Sequence, residues 1–214
     1  MNMTVDRDAS VDSRQAVLHT AESRRSIRKF VQEPIPLEDL QEILRLVGLA
    51  PSAGNVQTWR FAVAHTPAAK AKLVDAMTDN NKRTVESAPA SIVLYSDAAE
   101  FLDTVEEIMH PGLGAEEIAL RSAGMRKRIG SMPPEKQAEW ARSQSFIALG
   151  YLMLIARGFG YDTSPMGGYR EDAIRTAFGL PDSARVTAVI AIGERAEDGF
   201  SHHRHETGRI TSWH

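Results

Sequence analysis

The 214-residue chain is predicted to fold as one α+β domain. Three observations favour this class. Six or more segments have helical periodicity, about four short apolar runs are typical of strands, and the helical share is high for a regular doubly wound sheet. The chain contains no internal repeat and no linker that would separate two domains, and its length suffices to bury a sizeable core.

The first half alternates helix-like and strand-like segments. Leu40, Ile43 and Val47 recur at helical spacing, and Thr66-Pro67 supplies an N-cap followed by proline at the first helical position. Apolar and polar residues alternate between Trp59 and His65, as in a strand. The predicted elements are a loose tail over residues 1–12, helices over 13–22, 37–49 and 66–77, and strands over 59–65 and 91–95.

The second half contains the most apolar helix. Residues 99–140, the 99–140 segment below, are charged and helix-prone with two proline-containing breaks, which indicates an insertion or lid. A central buried helix is predicted over 143–157, a short strand over 161–163, a helix over 171–178 and the clearest strand over 186–192. The polar tail that follows ends in Ile210 and Trp213, which need a surface to pack on.

Composition narrows the function. Without cysteine the chain has no disulfide, no thiolate nucleophile, no iron–sulfur cluster held by Cys and no Cys-ligated zinc, so redox chemistry would require a cofactor. A net charge of -3 disfavours general nucleic-acid binding. The N-terminus has no apolar signal core, and the longest apolar run, residues 146–156, is too short to span a bilayer. We expect a cytoplasmic protein that binds neither nucleic acid nor membrane.

Arginines cluster in residues 23–30, the basic segment. Arg24, Arg25 and Arg28 lie within five residues of one another, with Ser26 between them. The planar guanidinium fork suits phosphate oxygens, and a serine hydroxyl adds a neutral donor. A solvated basic turn after a helix is the alternative interpretation, and it is the more common one for such a cluster alone.

Two loops carry further ligand-binding groups. Residues 51–59, the amide loop, present Ser52, Asn55 and Gln57, which suit the polar edge of a flat heterocycle, but a plain connector is an equally common use. Residues 164–169, the glycine turn, place Gly167 and Gly168 after a predicted strand, where a planar ring can lie against the backbone. A tight turn without ligand is the alternative.

In this order and separation, the three motifs resemble the FMN-dependent nitroreductase family. Arg24-Arg25-Ser26-Ile27-Arg28 is similar to its Arg-x-Ser-x-Arg element, residues 51–59 to its Pro-Ser-x-x-Asn-x-Gln-Pro-Trp loop, and residues 165–168 to its Pro-x-x-Gly segment. The resemblance extends over about residues 23–193. It implies a single FMN-binding domain over 1–214 with a mixed sheet flanked by helices. It also implies an intertwined homodimer, with a lid at about 99–140 and a partner-wrapping C-terminal tail from about residue 200.

The resemblance also implies a flavin site shared between two subunits. Its residues would be Arg24, Arg25, Ser26 and Arg28 on the phosphate, ribityl chain and ring edge; Ser52, Asn55 and Gln57 from the partner; Pro165, Met166, Gly167 and Gly168 on one ring face, with a backbone N–H aimed at N5; and Arg204, or else Arg209, on the phosphate. A basic residue between Asn80 and Arg83 would add a contact. Two positions depart from the pattern. Thr58 replaces the usual proline, which we expect to loosen the turn, and Gly167 stands where some members have glutamate.

The implied activity is ping-pong electron transfer. NADH or NADPH would reduce FMN at N5, and a nitroaromatic or quinone acceptor would then be reduced, with Arg28 stabilising negative charge at N1 and O2. No side chain is assigned as catalytic, because the flavin carries the chemistry. An FMN-dependent oxidase, dehalogenase or flavin-fragmenting enzyme, or a non-catalytic flavin-binding module, remains an alternative. No metal is expected, because His202, His203, His205 and Glu206 match no standard ligand spacing.

Overall fold

A four-stranded antiparallel sheet separates two hydrophobic cores in the computed structural model, which describes residues 9–214. The elements are α1 (Ala9–Ser23), α2 (Leu37–Val47), a 3₁₀ turn (Ala53–Asn55), β1 (Trp59–Ala64), α3 (Pro67–Ala76), α4 (Asp79–Ser87), β2 (Ala90–Ser96), α5 (Ala98–Asp103), α6 (Ala115–Gly130), α7 (Pro134–Gly158), β3 (Asp162–Met166), α8 (Glu171–Phe178), β4 (Arg185–Gly193) and α9 (Thr207–Ile210). The predicted α+β class and the predicted strands are confirmed. The predicted tail lies outside the described residues except at 9–12, which are helical, so that boundary was wrong.

The strand order is β1-β2-β4-β3, and each neighbouring pair runs antiparallel. Within the described part of the chain, the sole parallel pairing next to this sheet is an isolated bridge between Ser26 and Thr163. The mixed character expected of the sheet is therefore limited to that bridge. β1 and β3 form the two edges of the sheet, a placement that separates the predicted motifs.

The sheet buries both of its faces, because alternate side chains point to opposite sides of a strand. Ile92 and Ile190 pack with Leu152 of α7 on one face, whereas Val93 and Val189 belong to the core on the other face, beneath α3 and α8. All five of these side chains are fully buried. Burial on both faces explains why β2 and β4 are continuous apolar runs in the sequence.

The long helix α7 begins at Pro134, nine residues before the predicted start. Proline is favoured at a first helical position, where its missing N–H costs no hydrogen bond. The early turns are polar and belong to the 99–140 segment, where they pack against α5, so their pattern did not predict a core helix. None of the helices in residues 9–214 is long and apolar enough to cross a bilayer.

The helix α4 is not among the elements predicted from the sequence. Val85 is the one strongly apolar residue in its sequence, DNNKRTVES, so the segment has no apolar residues at helical spacing to predict a helix. In the structure Val85 is fully buried in the core beneath the sheet, and α4 packs against α3. Tertiary packing therefore stabilises a helix that the local sequence pattern does not predict.

A smaller core joins the 99–140 segment to the rest of the domain. Val56, Phe101, Val105 and Ile129 are buried together, and the Trp140 ring lies 5.9 Å from the Phe101 ring. This segment contains α5, α6 and the first turns of α7, as its helix-prone composition predicted.

Asp162, at the start of β3, is the centre of a buried ion cluster. Its side chain is 1% exposed and accepts hydrogen bonds from Arg195 Nε at 2.6 Å and NH2 at 2.7 Å, and from Arg157 NH1 at 3.2 Å. The same arginines bind Ser23, since Arg195 NH2 donates to its carbonyl at 3.1 Å and Arg157 Nε to its hydroxyl at 2.9 Å. The cluster therefore fixes the end of α1 against β3, β4 and α7.

Tyr161 makes a second polar tie beside this cluster. Its hydroxyl donates to Asp39 Oδ2 at 2.6 Å, which connects the end of α7 to the first turn of α2. Burial, together with the hydrogen bond to the Asp39 carboxylate, raises the pKa of Tyr161 to about 12. The tyrosine therefore remains a proton donor throughout the neutral range.

Asp162→Asn is expected to destabilise the fold. The change leaves the two arginines without their counter-charge, and we expect a loss of about 2 to 3 kcal/mol in the free energy of unfolding, below the usual range for buried pairs because both arginines keep some water contact. Urea denaturation measures this loss. Glu139→Gln, which removes an exposed ion pair with Lys136, is the matched control and should leave stability nearly unchanged. Equal losses in the two variants would contradict the role assigned to Asp162.

Candidate functional site

The basic segment lies along the edge of the sheet, beside β3. Ile27 N–H donates to the Thr163 carbonyl at 3.2 Å, and residues 29–31 pair with residues 194–196 after β4. Ser26 is bridged to Thr163, and the glycine turn begins directly after this residue on β3. The fold thus brings together two of the three motifs that sequence analysis identified.

The C-terminal tail crosses the basic segment and encloses a small pocket of about 160 Å³. Its lining residues are Arg24, Arg25, Ser26, Arg28, Phe200, Ser201, His202 and Arg204. The tail can approach closely because Gly199 has φ +68°, and a Cβ there would lie 2.9 Å from Ile27 Cδ1. The four predicted residues of the basic segment therefore meet Arg204 at one site. Arg209 does not line this pocket.

His202 is a pocket residue that the sequence did not single out. Its Nε2 lies 2.7 Å from the Arg24 carbonyl oxygen and 3.3 Å from Arg25 NH1. In the sequence the tail histidines suggest only a metal site, which their spacing does not fit. The nearby Arg204 was the available signal that this part of the tail returns to the basic segment.

Positive charge accumulates in the pocket. Burial lowers the pKa of Arg24, and the neighbouring Arg204 and Arg25 guanidinium groups lower it further, whereas Asp162 acts in the opposite direction. Asp162 is already bound to Arg195 and Arg157. Guanidinium groups crowded in this way are stabilised by an anion, and their fork geometry suits phosphate.

The glycine turn is held against the start of α4. The Gly168 carbonyl accepts hydrogen bonds from Thr78 N–H at 3.1 Å, Thr78 Oγ1 at 3.0 Å and Asn81 Nδ2 at 3.1 Å. A Cβ on Gly168 would lie 2.4 Å from Asn81 Nδ2, so this position requires glycine, whereas Gly167 faces open space. One side of the turn is packed and the other is available to a ligand.

The remaining predicted residues of this turn differ in their exposure. Pro165 occupies the edge strand β3, where a missing N–H is tolerated. The Met166 side chain is buried in the core beneath the sheet, so its contact with a ligand would be through the backbone. Between residues 80 and 83, Asn81 contacts the turn directly, and Lys82 pairs with Asp79 at 2.8 Å.

The amide loop has an unusual backbone. Asn55 and Gln57 have positive φ values of 60° and 42°, and Gly54 has φ 64°. Ser52 Oγ accepts the Gln57 N–H at 3.1 Å, and Asn55 Nδ2 donates to the Ile108 carbonyl at 2.8 Å. Residues with such backbone angles are held by their surroundings and are common at ligand sites.

Thr58 ties the amide loop to α7. Its hydroxyl donates to the Ala141 carbonyl at 2.8 Å, and the residue is 1% exposed. The loosening expected from the missing proline is opposed by this bond. The hydroxyl adds a buried hydrogen bond that proline cannot make.

The amide loop and the basic segment lie at diagonally opposite corners of the sheet. Trp59, at the start of β1, is in register with Ser96 and through it with Arg185, while Thr163 is in register with Ile192. With a strand spacing of about 4.8 Å and a rise of about 3.3 Å per residue, the two motifs are roughly 25 Å apart in one chain. A single chain does not bring all three motifs together.

Comparison with known proteins agrees with this architecture. The family model described as "Nitroreductase family" matches residues 21–194. An NADH dehydrogenase of Thermus thermophilus is 36% identical over 95% of this chain and 96% of its own length, and YdgI of Bacillus subtilis, assigned as an NAD(P)H nitroreductase, is 31% identical over 89% and 93%. A structure from Exiguobacterium sibiricum, assigned as a nitroreductase and solved in complex with FMN, superposes with a TM-score of 0.84 at 30% identity, covering 92% of this chain and 97% of that one. The matched region contains the basic segment, the amide loop and the glycine turn, and the chain belongs to the nitroreductase family.

Proposed function

We propose that this protein is an FMN-dependent NAD(P)H oxidoreductase that reduces small organic acceptors of the nitroaromatic or quinone type. The observation that carries the proposal is the arginine-rich pocket directly beside the glycine turn. FMN has a phosphate at one end and a flat ring at the other, and these two features match the two neighbouring motifs. The FMN complex from Exiguobacterium and the names of the two relatives support the same cofactor and reductant.

The basic pocket is where the FMN phosphate would bind. Arg24, Arg25 and Arg204 supply positive charge, since none of them forms an ion pair within residues 9–214, and Ser26 adds a hydroxyl donor. A phosphate would offset both causes of the lowered pKa of Arg24, burial first and then repulsion from Arg204 and Arg25, because it favours the charged guanidinium. Arg28 lies two residues beyond Ser26, in the direction of the glycine turn because Ser26 and Thr163 pair in parallel, and would stabilise negative charge on the ring edge.

When bound, FMN supplies two-electron chemistry by taking hydride from NAD(P)H and passing reducing equivalents to the acceptor. The chain itself positions the ring. Thr78 and Asn81 hold the Gly168 carbonyl, which fixes the peptide orientation of the glycine turn and leaves open space at Gly167, where the ring would lie. Backbone donors that are fixed in advance stabilise developing charge without reorganisation.

The site would be completed by a second copy of the chain. The amide loop, with Ser52, Asn55 and Gln57, is too far from the basic segment to share one ligand within a chain, so a partner subunit would supply it. Apolar side chains exposed along one face of α7 offer a surface for this partner, namely Ile147, Tyr151 and Leu154. Exposed Phe200, Ile210 and Trp213 in the C-terminal tail would wrap around it.

The spectrum of the protein tests the proposed function. Protein reconstituted with FMN should show the absorption of oxidised flavin, which NADH or NADPH should bleach without oxygen and a quinone or nitroaromatic should restore. Protein that takes up no FMN would contradict the proposal. Bound flavin that neither reductant bleaches would indicate a non-catalytic binding module, and reoxidation by oxygen alone would indicate an oxidase.

Arg24→Ala should weaken FMN binding by about tenfold or more, because it removes a charge-assisted contact to phosphate. Quenching of flavin fluorescence measures the affinity, and raising the salt concentration should weaken wild-type binding more than binding by the variant. Arg14→Ala, which removes an exposed arginine of α1 outside the pocket, is the matched control. Equal affinities for wild type and Arg24→Ala would remove this residue from the site.

Leu154→Glu should dissociate the proposed homodimer and reduce FMN binding together, because each site would depend on the partner's amide loop. Sedimentation velocity reports the mass, and circular dichroism reports whether the helices persist. Leu120→Glu places the same charge on another exposed leucine, in α6, and should change neither property. A monomeric Leu154→Glu variant that binds FMN as tightly as wild type would contradict the shared site.

A further inference from the structure

A groove of about 490 Å³ separates the amide loop from α6, and none of the residues assigned to FMN lines it. Gly54 of the amide loop forms one wall, and Met109, Met125 and two arginines form the others. The walls are tied together, because Asn55 Nδ2 donates to the Ile108 carbonyl at 2.8 Å and a Cβ on Gly54 would lie 3.1 Å from Met125 Cε. Its volume is in the range of small-molecule sites.

The groove has an apolar interior and a positive rim. Arg121 and Arg128 are seven residues apart on α6, which places both on one helix face about 10 Å apart. Arg121 donates to Glu117 through Nε at 2.9 Å, whereas no acidic side chain within residues 9–214 forms an ion pair with Arg128. None of the residues that line this groove is acidic. The lining thus favours a ligand that is both apolar and anionic.

Gly124 makes room between the two arginines. It lies within α6 and lines the groove, and a Cβ built on it meets no atom within 4 Å. Glycine in a helix interior costs about 1 kcal/mol relative to alanine, and no neighbouring atom in the structure requires it here. The missing side chain instead deepens the groove beside Arg128 and Met125, where a flat body can lie.

We propose that this groove binds the electron acceptor, and that it selects acceptors whose apolar or aromatic body ends in a carboxylate held by Arg128 with help from Arg121. This inference rests on the proposed function, since Gly54 belongs to the same loop that would contact the partner's flavin. The acceptor body would lie over Met109 and Met125, whose flexible thioether side chains adapt to varied shapes. The carboxylate would then orient the reducible end towards the flavin.

The anion bound by Arg128 could belong to the acceptor or to the phosphates of the nicotinamide dinucleotide. The two sources are distinguished by measuring flavin reduction by NADPH and acceptor reduction separately. With FMN-loaded enzyme, Arg128→Gln should lower kcat/KM for nitrobenzoate about tenfold, the usual effect of losing one charge-assisted hydrogen bond. The rate with its uncharged methyl ester and the rate of flavin reduction by NADPH should not change. Lys127→Gln, an exposed neighbour that does not line the groove, is the matched control.

Binding of the unreactive analogue benzoate, followed by calorimetry, provides a readout other than activity and should weaken about tenfold in Arg128→Gln.

Gly124→Phe should fill the groove and slow the reduction of both acceptors without changing FMN content or thermal stability. Ala123→Phe, on an exposed face of α6, should leave both rates unchanged. Equal effects of Arg128→Gln on nitrobenzoate and its ester, or a loss confined to NADPH, would overturn this proposal. If FMN does not bind while benzoate still does, the proposed function fails and the groove remains an anion site.

Discussion

The placement of the basic segment depends on one buried carboxylate. Asp162 begins β3 and binds two arginines from distant parts of the chain, Arg157 from the end of α7 and Arg195 from just after β4. Those arginines in turn hold the hydroxyl and the carbonyl of Ser23. Burying a carboxylate that is 1% exposed would cost free energy without such partners. The chain segments that carry the two arginines must therefore lie next to Asp162 in the folded protein. Since Arg24 follows Ser23 directly, the cluster sets where the phosphate-binding arginines begin.

The same cluster explains how so many arginines can lie close together. Asp162 compensates Arg157 and Arg195, and its remaining effect on Arg24 is smaller than the combined influence of burial and the neighbouring guanidinium groups. The pocket therefore retains excess positive charge while the layer beneath it is paired. A preorganised anion site is expected to have this arrangement, in which the ion pairs of Asp162 form a fixed layer and the pocket arginines keep their charge free for a ligand.

Much of the fold was predictable because its strongest elements carry local signals. The alternation in β1, the apolar runs of β2 and β4, and the amphipathic α2 follow from the requirement that each buries particular side chains. Elements stabilised by distant contacts were not predictable. α4 depends on the burial of Val85, the early turns of α7 on their packing against α5, and the bond from Thr58 to α7 on a residue 83 positions away.

The sequence by itself determined the fold class, the family resemblance and the chemical character of each motif, because these depend on residue type and spacing. Only the tertiary structure decided which motifs meet. Pairing of Ser26 with Thr163 brings the basic segment to the glycine turn, the return of the tail adds His202 and Arg204, and the strand order sends the amide loop to the far corner of the sheet. Strand order and chain crossings arise from contacts between residues distant in sequence, and no local pattern encodes them.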